Sequence, residues 1–306
     1  MANRKTTEME GVGKQIGAEA VLADFLGEGK MIEIPCSRKY CSGEAVYVCT
    51  ETGLVRAKEV RSSKEIARIW SEEVFGGKFD ERRYTSRIPA VLARQTYVAA
   101  FADENIGLRS KEVCDIGAGE GQFLEIVASP RYGALGYGIE PSEENSIDLQ
   151  KNGFECFCGT VEDYCVSPQL AKNRFDVVTM MWTLCNTSSA IAMIQAAYDI
   201  LKTGGKIVVA EGSRILVPFR KPLNMYFSPL PVDLHPYHFS VNSLTNLLKV
   251  IGFTTPLRNR YLDSDCLCVI AEKGQDKCQV ENFEADDWRE VLDFFDRWDR
   301  ETGYYL

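Results

Sequence analysis

The sequence predicts an α/β fold: a doubly wound, mostly parallel sheet with a small N-terminal β unit and a C-terminal helix. Three observations predict it. Short apolar runs alternate with segments of helical periodicity between residues 112 and 211, which is typical of a parallel sheet covered on both faces. The first of these runs leads directly into a glycine-rich turn and a helix. An amphipathic segment rich in aromatic residues, residues 284–302, follows near the end of the chain.

Composition and charge limit the possible functions. The chain has 306 residues, of which 45% are hydrophobic and 26% charged, with a net charge of −9. This net negative charge argues against a large surface that binds phosphate groups, so we expect a small-molecule partner and no nucleic acid. We see no signal peptide and no apolar run of the ~18–20 residues that span a bilayer, so we expect a cytoplasmic protein. The 11 cysteines fit free thiols in a reducing compartment.

The central motif is VCDIGAGEGQF at residues 113–123. Gly117, Gly119 and Gly121 follow an apolar run, so the backbone can turn tightly and let a ligand approach a helix N-terminus. Asp115 precedes the first glycine by two residues. Its carboxylate would repel a pyrophosphate and suits an ammonium group or a ribose hydroxyl. The G-x-G-x-G spacing also differs from the G-x-G-x-x-G of dinucleotide-binding folds, which argues against a dehydrogenase.

A second carboxylate follows the next predicted strand. Glu140 lies in YGIEPS, residues 137–142, twenty-five residues after Asp115. At the end of a strand next to the glycine turn, this side chain can accept hydrogen bonds from ribose hydroxyls.

Five blocks in order resemble the class I S-adenosylmethionine-dependent methyltransferases: DIGAGEG (115–121), GIEPS (138–142), GTVEDY (159–164), FDVVTMMWTLCN (175–186) and LKTGGKIVVAEG (201–212). The resemblance covers roughly residues 85–272. It implies a Rossmann-like fold, S-adenosylmethionine as cofactor and S-adenosylhomocysteine as product. The alternative is a nucleotide-binding α/β domain with another ligand.

The residues assigned to the cofactor are Asp115, Gly117, Ala118, Gly119, Gly121, Glu140, Pro141, Val161, Glu162, Met181 and Trp182. Glu162 or Asp163 would accept from the adenine amino group, and the other would be a helix-start carboxylate. Trp182 lines the pocket or lies in the core.

Both histidines of the chain, His235 and His238, lie in VDLHPYHFS, residues 232–240. The stretch resembles the E-H-x-x-Y-F-S segment of sugar C-methyltransferases, where the histidine is a proposed base. In that alignment His235 matches the histidine, whereas Leu234 replaces the glutamate and His238 the tyrosine, which puts carbon methylation in doubt. Asp233 or Glu211 would then orient the base. His238 is a second candidate base, a packing or capping residue, or half of an H-x-x-H metal pair without a third ligand.

Two further segments are predicted to close the pocket. The insertion 213–239 would cover it, and the leader 84–99 would close over the methionine end of the cofactor, as in similar enzymes. Candidate contacts to the acceptor are Tyr84, Arg87, Arg94, Asn186, Tyr226 and Tyr237. In the leader, Tyr84, Arg87, Arg94 and Gln95 are candidates to meet either the cofactor carboxylate or the acceptor.

We predict three regions: an N-terminal region, 1–83, with a helix over 63–75, a cofactor-binding domain, 84–275, and a C-terminal amphipathic helix, 276–306. Residues 1–30 are expected to be loosely ordered. Cys36, Cys41 and Cys49 lie in a β unit that resembles a worn zinc-binding unit of sugar methyltransferases, but its paired C-x-x-C spacing is lost. We therefore expect structural cysteines and no metal. The C-terminal helix should pack on the domain; a homodimer face is the alternative.

The sequence thus predicts an S-adenosylmethionine-dependent methyltransferase that acts on a small polar acceptor. By resemblance to sugar and O-antigen-type methyltransferases, this is a sugar, nucleotide-sugar or glycan-related hydroxyl or carbon, which would make the reaction a carbohydrate modification with His235 as general base. The alternatives are a secondary-metabolite O-methyltransferase and a cofactor-binding subunit without chemistry.

Overall fold

The structure is a computed structural model that describes residues 14–41, 43–75, 88–212, 214–219, 221–227, 235–259, 266–274 and 282–305. The predicted acceptor contacts Tyr84 and Arg87 lie outside the described residues, as do Asp233 and Leu234.

The central sheet confirms the predicted fold class. Its described strands are β5 (Glu112–Ile116), β6 (Leu135–Glu140), β7 (Glu155–Cys158), β8 (Phe175–Met181), β9 (Leu201–Glu211), β11 (Phe253–Arg258) and β12 (Leu267–Lys273). They lie in the order β11-β12-β9-β8-β5-β6-β7. Strands β5 to β9 pair in parallel, and β12 and β11 add an antiparallel edge. The strand order reverses beside β5, so the crevice at its carboxyl end is the expected ligand site.

Helices cover both faces of this sheet. The described helices are α1 (Ala18–Leu26), α2 (Ser37–Tyr40), α3 (Ser63–Arg68), α4 (Pro89–Ile106), α5 (Gln122–Ala128), α6 (Glu143–Lys151), α7 (Val161–Val166), α8 (Ala190–Ile200), α9 (Leu223–Phe227), α10 (Val241–Ile251) and α11 (Trp288–Thr302). A π-helical turn, Ile69–Phe75, continues α3. Helices α4, α5 and α6 pack on one face of the sheet, and α1, α7, α8 and α10 share the core on the other.

Residues 14–30 are more ordered than the sequence predicts. The remaining strands are β1 (Lys14–Ile16), β2 (Met31–Glu33), β3 (Val46–Cys49), β4 (Val55–Ala57), β10 (Tyr237–His238) and β13 (Phe283–Ala285). Strand β1 pairs with β13, and Val21 and Phe25 of α1 are buried in the main core. The expectation of a loosely ordered start is therefore wrong from residue 14 onward, because a distant strand and the core supply its partners.

The N-terminal β unit is completed by distant parts of the chain. Strand β10 extends it to a four-stranded sheet in the order β10-β4-β3-β2. Its apolar side chains, such as Val48, form one cluster with Phe227 of α9 and with Phe295 and Trp298 of α11. The C-terminal helix thus packs on the domain, as predicted. Much of the described part of the insertion 213–239 also packs here. Its expected place over the pocket stays a prediction.

The three N-terminal cysteines serve as small packing residues. Cys41 and Cys49 are buried and Cys36 is half-buried; burial raises the pKa of the Cys36 and Cys41 thiols to about 12. Within the described ranges, no group of three or more His, Cys, Asp or Glu side chains could hold a metal ion. The described helices also include none that is long and apolar enough to cross a membrane.

Candidate functional site

A cavity of about 330 Å³ opens at the carboxyl ends of β5, β6 and β8. It contains most of the residues predicted for the site: Arg94, Asp115, Gly117, Ala118, Gly119, Glu140, Pro141, Val161, Glu162, Met181, Trp182 and Asn186. Gln95, Glu120 and Gln122 line it as well. The parallel strands therefore bring together residues that are distant in sequence at the predicted edge of the sheet.

The glycine turn forms the floor of the cavity. Gly117 and Gly119 have φ of 74° and 55°, a region that side chains strongly disfavour. A Cβ on Gly117 would also lie 2.6 Å from the Thr183 side chain. Gly121 is outside the cavity lining: it precedes α5, and a Cβ there would lie 2.4 Å from Leu149. Packing against Leu149 accounts for a glycine at this position, and its assignment to the cofactor stays a prediction.

Asp115 lies in β5 and is almost fully buried. Its Oδ1 accepts a hydrogen bond of 2.6 Å from the Thr179 hydroxyl in β8. Burial raises the pKa of this carboxyl to about 7, although the Thr179 hydrogen bond opposes the shift. Within the described part of the chain, no cationic side chain lowers this pKa, and a bound ammonium group would supply the missing positive charge.

Glu140 ends β6 and is also buried. Its Oε2 accepts from the backbone N–H of Gly119 and its Oε1 from that of Ser142, both at 2.8 Å. The carboxylate thus ties the glycine turn to the start of α6. Desolvation raises the pKa of Glu140 to about 7 despite these hydrogen bonds. Both carboxylates of the sequence motifs are therefore buried at the same cavity.

The structure separates the roles of the two acidic residues at the start of α7. Asp163 completes a capping box with Thr160, since each side chain accepts from the other's backbone N–H. Asp163 is therefore the helix-start carboxylate. Glu162 lines the cavity, and its Oε1 accepts a hydrogen bond of 2.8 Å from the Ser63 hydroxyl.

The roof of the cavity comes from a region in which the sequence predicts only a helix. Ser63, Ile66 and Ala67 of α3 and Trp70 of the following π-helical turn all line it. The hydroxyls of Ser63 and Ser188 are hydrogen-bonded at 2.6 Å, which joins the roof to the segment before α8. Sequence reasoning misses these residues because the segment carries no recognisable chemical motif.

The loop after β8 forms the wall on the other side. Trp182 has φ of 59°, a conformation that is rare and strained for a large residue. The Asn186 side-chain amide donates to the Trp182 carbonyl at 2.9 Å, which closes the loop on itself. Trp182, Met181 and Met193 add apolar surface to the cavity lining, beside polar residues of the loop such as Thr183 and Asn186.

Three of the predicted residues lie elsewhere. His238 is buried, and its Nδ1 is hydrogen-bonded to the Tyr226 hydroxyl at 2.9 Å beside the cluster around α11. Tyr237 is buried in the main core against Phe25. These three side chains do not line the described cavity, because strand β10 and helix α9 direct them into packed clusters.

His235 is half-buried and is not part of the described cavity lining. Its ring packs edge-on against Trp70, with a centroid distance of 6.1 Å, and Trp70 lines the cavity. Burial, with a contribution from Lys221, lowers the pKa of His235 to about 4. Its predicted role as base stays a prediction.

Comparison with known proteins agrees with this geometry. Residues 84–255, more than half of the chain, match the family model described as "Methyltransferase domain". A ubiquinone biosynthesis O-methyltransferase of Coxiella burnetii (strain Dugway 5J108-111) is 27% identical over 143 residues, which cover 45% of this chain and 60% of the relative. A demethylmenaquinone methyltransferase of Bacteroides fragilis (strain YCH46) is 25% identical over 124 residues, 39% of this chain and 49% of that protein. The chain thus spans at most about 60% of these relatives.

A solved structure supports the fold. The 1,6-didemethyltoxoflavin-N1-methyltransferase of Burkholderia thailandensis, determined with bound S-adenosylhomocysteine, has a TM-score of 0.51 at 15% identity; the match covers 72% of this chain and 96% of that one. At this identity the likeness concerns the fold alone. Together with the family match and the five sequence blocks, it identifies the chain as a member of the methyltransferase domain family with a class I, Rossmann-like fold.

Proposed function

We propose that the protein transfers the methyl group of S-adenosylmethionine to a hydroxyl group of a small aromatic acceptor. One observation carries this proposal: the cavity of about 330 Å³ is lined both by buried carboxylates with a glycine turn and by aromatic and apolar side chains. The first set suits a cationic cofactor and the second a flat acceptor.

The residues present fit this cofactor. Burial raises the pKa of Asp115 and Glu140 because it disfavours their charged forms. A ligand group that donates a hydrogen bond to the ionised carboxylate therefore stabilises that form. Asp115 is proposed to hold the ammonium group, Glu140 the ribose hydroxyls and Glu162 the adenine amino group. Arg94 is proposed to meet the cofactor carboxylate, and Gly119, which has no side chain, lets the ligand approach the backbone. When bound, the cofactor supplies an electrophilic methyl group on a sulfonium, so the chain's own task is to position the acceptor.

The lining favours an aromatic acceptor over a nucleotide-sugar. The described lining residues include one guanidinium group, that of Arg94, and four carboxyl groups, those of Asp115, Glu120, Glu140 and Glu162. A nucleotide-sugar diphosphate would meet repulsion here. Trp70, Trp182 and Met193 instead offer apolar contacts to a ring. The names of the quinone-biosynthesis relatives agree with a ring-bearing acceptor, which makes the predicted alternative, a secondary-metabolite O-methyltransferase, the better supported one.

His235 is the proposed general base. Its lowered pKa keeps the imidazole neutral at pH 7, the form that accepts a proton, but also makes it a weaker base; the ring packs against Trp70, which lines the cavity. An aromatic hydroxyl loses its proton more readily than a sugar hydroxyl, so the demand on this base is modest. We expect His235→Ala to lower turnover ~10²-fold, the scale of a lost general base, and to leave cofactor binding unchanged.

The proposal is tested in two steps. Thermal unfolding of the purified protein is first followed with S-adenosylmethionine, S-adenosylhomocysteine and NAD; at ligand near 100 Kd the stabilisation is about 2.7 kcal/mol. Stabilisation by the first two, lost in Glu140→Ala, is the expected result, and stabilisation by NAD alone would refute a methyl-donor site.

Formation of S-adenosylhomocysteine is then measured with 3,4-dihydroxybenzoate and with UDP-glucose as acceptors. We expect turnover of the catechol. Turnover of UDP-glucose alone would restore the sugar hypothesis, and cofactor binding without any turnover would favour a binding subunit.

A further inference from the structure

The loop between β8 and α8, residues 182–189, is the acceptor loop. It supplies Trp182, Thr183 and Asn186 to the cavity lining. The loop therefore shapes the part of the cavity that the proposed function assigns to the acceptor. Its short 3₁₀ turn, Leu184–Asn186, is held by contacts from a neighbouring strand.

Glu211 makes those contacts. It is the last residue of β9, and its side chain is fully buried. Its Oε1 accepts from the backbone N–H of Leu184 at 2.8 Å and of Cys185 at 3.2 Å. Backbone N–H groups of a buried turn need such an acceptor, and this one is supplied from outside the loop.

The residues on either side of Glu211 also constrain the position of the acceptor loop. The Trp182 backbone N–H donates to the Ala210 carbonyl at 2.8 Å. A Cβ on Gly212 would lie 2.9 Å from the Trp182 indole, so a side chain there would displace the ring. On its other side, the loop touches the glycine turn through Thr183 and Gly117. The end of β9 therefore holds the acceptor loop against the floor of the cofactor site.

We propose that Glu211 is a positioning residue for the acceptor: it holds the loop that carries Trp182 and Asn186 and takes no proton from the substrate. The proposal rests on the proposed function of the cavity. Glu211 itself is not part of the described cavity lining; its Oε1 accepts from two N–H groups of the loop, and its Oε2 is buried away from water. The sequence suggests it only as a partner for a histidine; the structure gives it a backbone partner instead.

The test compares Glu211→Ala and Glu211→Gln in the intact 306-residue chain with saturating S-adenosylhomocysteine. The glutamine keeps one side-chain oxygen for the loop, whereas alanine keeps none. Glu272→Ala is the matched control, because Glu272 is a carboxylate on the neighbouring strand β12 that pairs with Lys206 in the middle of β9. Hydrogen exchange of residues 182–189 is followed by mass spectrometry.

We expect exchange of the Leu184 and Cys185 amides to accelerate ~10-fold or more in Glu211→Ala and less in Glu211→Gln, in line with the loss of buried hydrogen bonds. The Kd of S-adenosylhomocysteine should change by less than about threefold. With 3,4-dihydroxybenzoate, the acceptor KM of the alanine variant should rise ~10-fold, with most of the loss recovered in the glutamine variant.

Two results would overturn the inference. Wild-type exchange rates in the loop of Glu211→Ala would show that the carboxylate does not hold it. A glutamine variant as inactive as the alanine variant, with a normal loop, would make Glu211 a base. The exchange measurement requires no acceptor, so failure of every acceptor would count against the proposed function and leave the result on the loop intact.

Discussion

The cofactor site should lose affinity as the pH falls through about 7. Asp115 and Glu140 both have pKa values raised to about 7 by burial, and the proposed cofactor contacts stabilise their charged forms. A protonated carboxyl must therefore lose its proton before it can bind well, so protons compete with the cofactor below this pH.

The magnitude follows from the titration. At pH 6 a carboxyl with a pKa of about 7 is only ~10% ionised, which corresponds to about 1.4 kcal/mol and a tenfold weaker Kd. Two such groups weaken the Kd of the cofactor up to ~100-fold between pH 8 and pH 6. Glu140→Gln removes one of them and one charge-assisted hydrogen bond, so its Kd at pH 8 should be ~10–100-fold weaker. Its dependence on pH should be about one order of magnitude smaller than that of the wild type.

Calorimetric titration with S-adenosylhomocysteine from about pH 6 to 8.5, a range that brackets the two raised pKa values, measures both effects at constant ionic strength. The amino group of the ligand titrates equally with wild type and variant, so the ratio of the two Kd values reports the effect of Glu140, including the effect of its charge on the pKa of Asp115. Glu143→Gln, on the exposed first turn of α6, is the control. Parallel pH profiles for wild type and Glu140→Gln would refute the assignment of Glu140 to the ligand.

The roof, a buried carboxyl and the C-terminal helix give three further predictions. Ser63→Ala removes the hydrogen bonds to Glu162 and Ser188, so dissociation of S-adenosylhomocysteine, measured by stopped flow, should be ~3–10-fold faster. Ser62→Ala, which removes only the cap of α3, is the control. Equal dissociation rates for Ser63→Ala and the wild type would contradict the role of Ser63. Burial raises the pKa of Asp286 to about 6, so the folded state holds this proton more tightly than the unfolded chain, and stability conferred by the protonated form should fall as pH rises from about 4 to 6. The thermal unfolding of Asp286→Asn should lack this loss of stability with rising pH. A pH profile identical to that of the wild type would exclude a contribution from Asp286. Trp298→Ala should cost about 3–5 kcal/mol of unfolding free energy in denaturant titration and leave the Kd of S-adenosylhomocysteine unchanged; a weaker Kd would show that α11 also supports the cofactor site.

The cofactor-binding part of the site is predictable because its signal is local. A strand, a glycine turn and a helix follow one another within residues 113–123, and the parallel topology then brings Glu140 to the same edge. The choice between Glu162 and Asp163 is not predictable, since both are acidic and start the same helix. It depends on which side chain reaches back to the Thr160 backbone, and this is visible only in three dimensions.

The roof and the histidines show where sequence reasoning fails. Ser63 lies 99 residues from Glu162 and 125 from Ser188, and no spacing rule connects them. The assignment of His238 and Tyr237 to the site rests on one short stretch of sequence, although alternation along a strand turns neighbouring side chains to opposite faces. Strand β10 pairs with β4, so these two residues enter separate packed clusters.

The carboxylates and the apolar side chains of the cavity are proposed to recognise their ligands by different interactions, and this has a consequence for specificity. Around the glycine turn, Asp115 and Glu140 are buried carboxylates whose ionised forms are favoured only by a ligand with matching donor groups, so a ligand that lacks them binds weakly. Trp70, Trp182 and Met193 instead offer the acceptor mainly apolar surface, where one methylene group changes binding by only about 1–3 kcal/mol. The chain should therefore be strict about its methyl donor and tolerant of different substituents on the acceptor ring, and what limits the acceptor is the position of the loop that Glu211 holds.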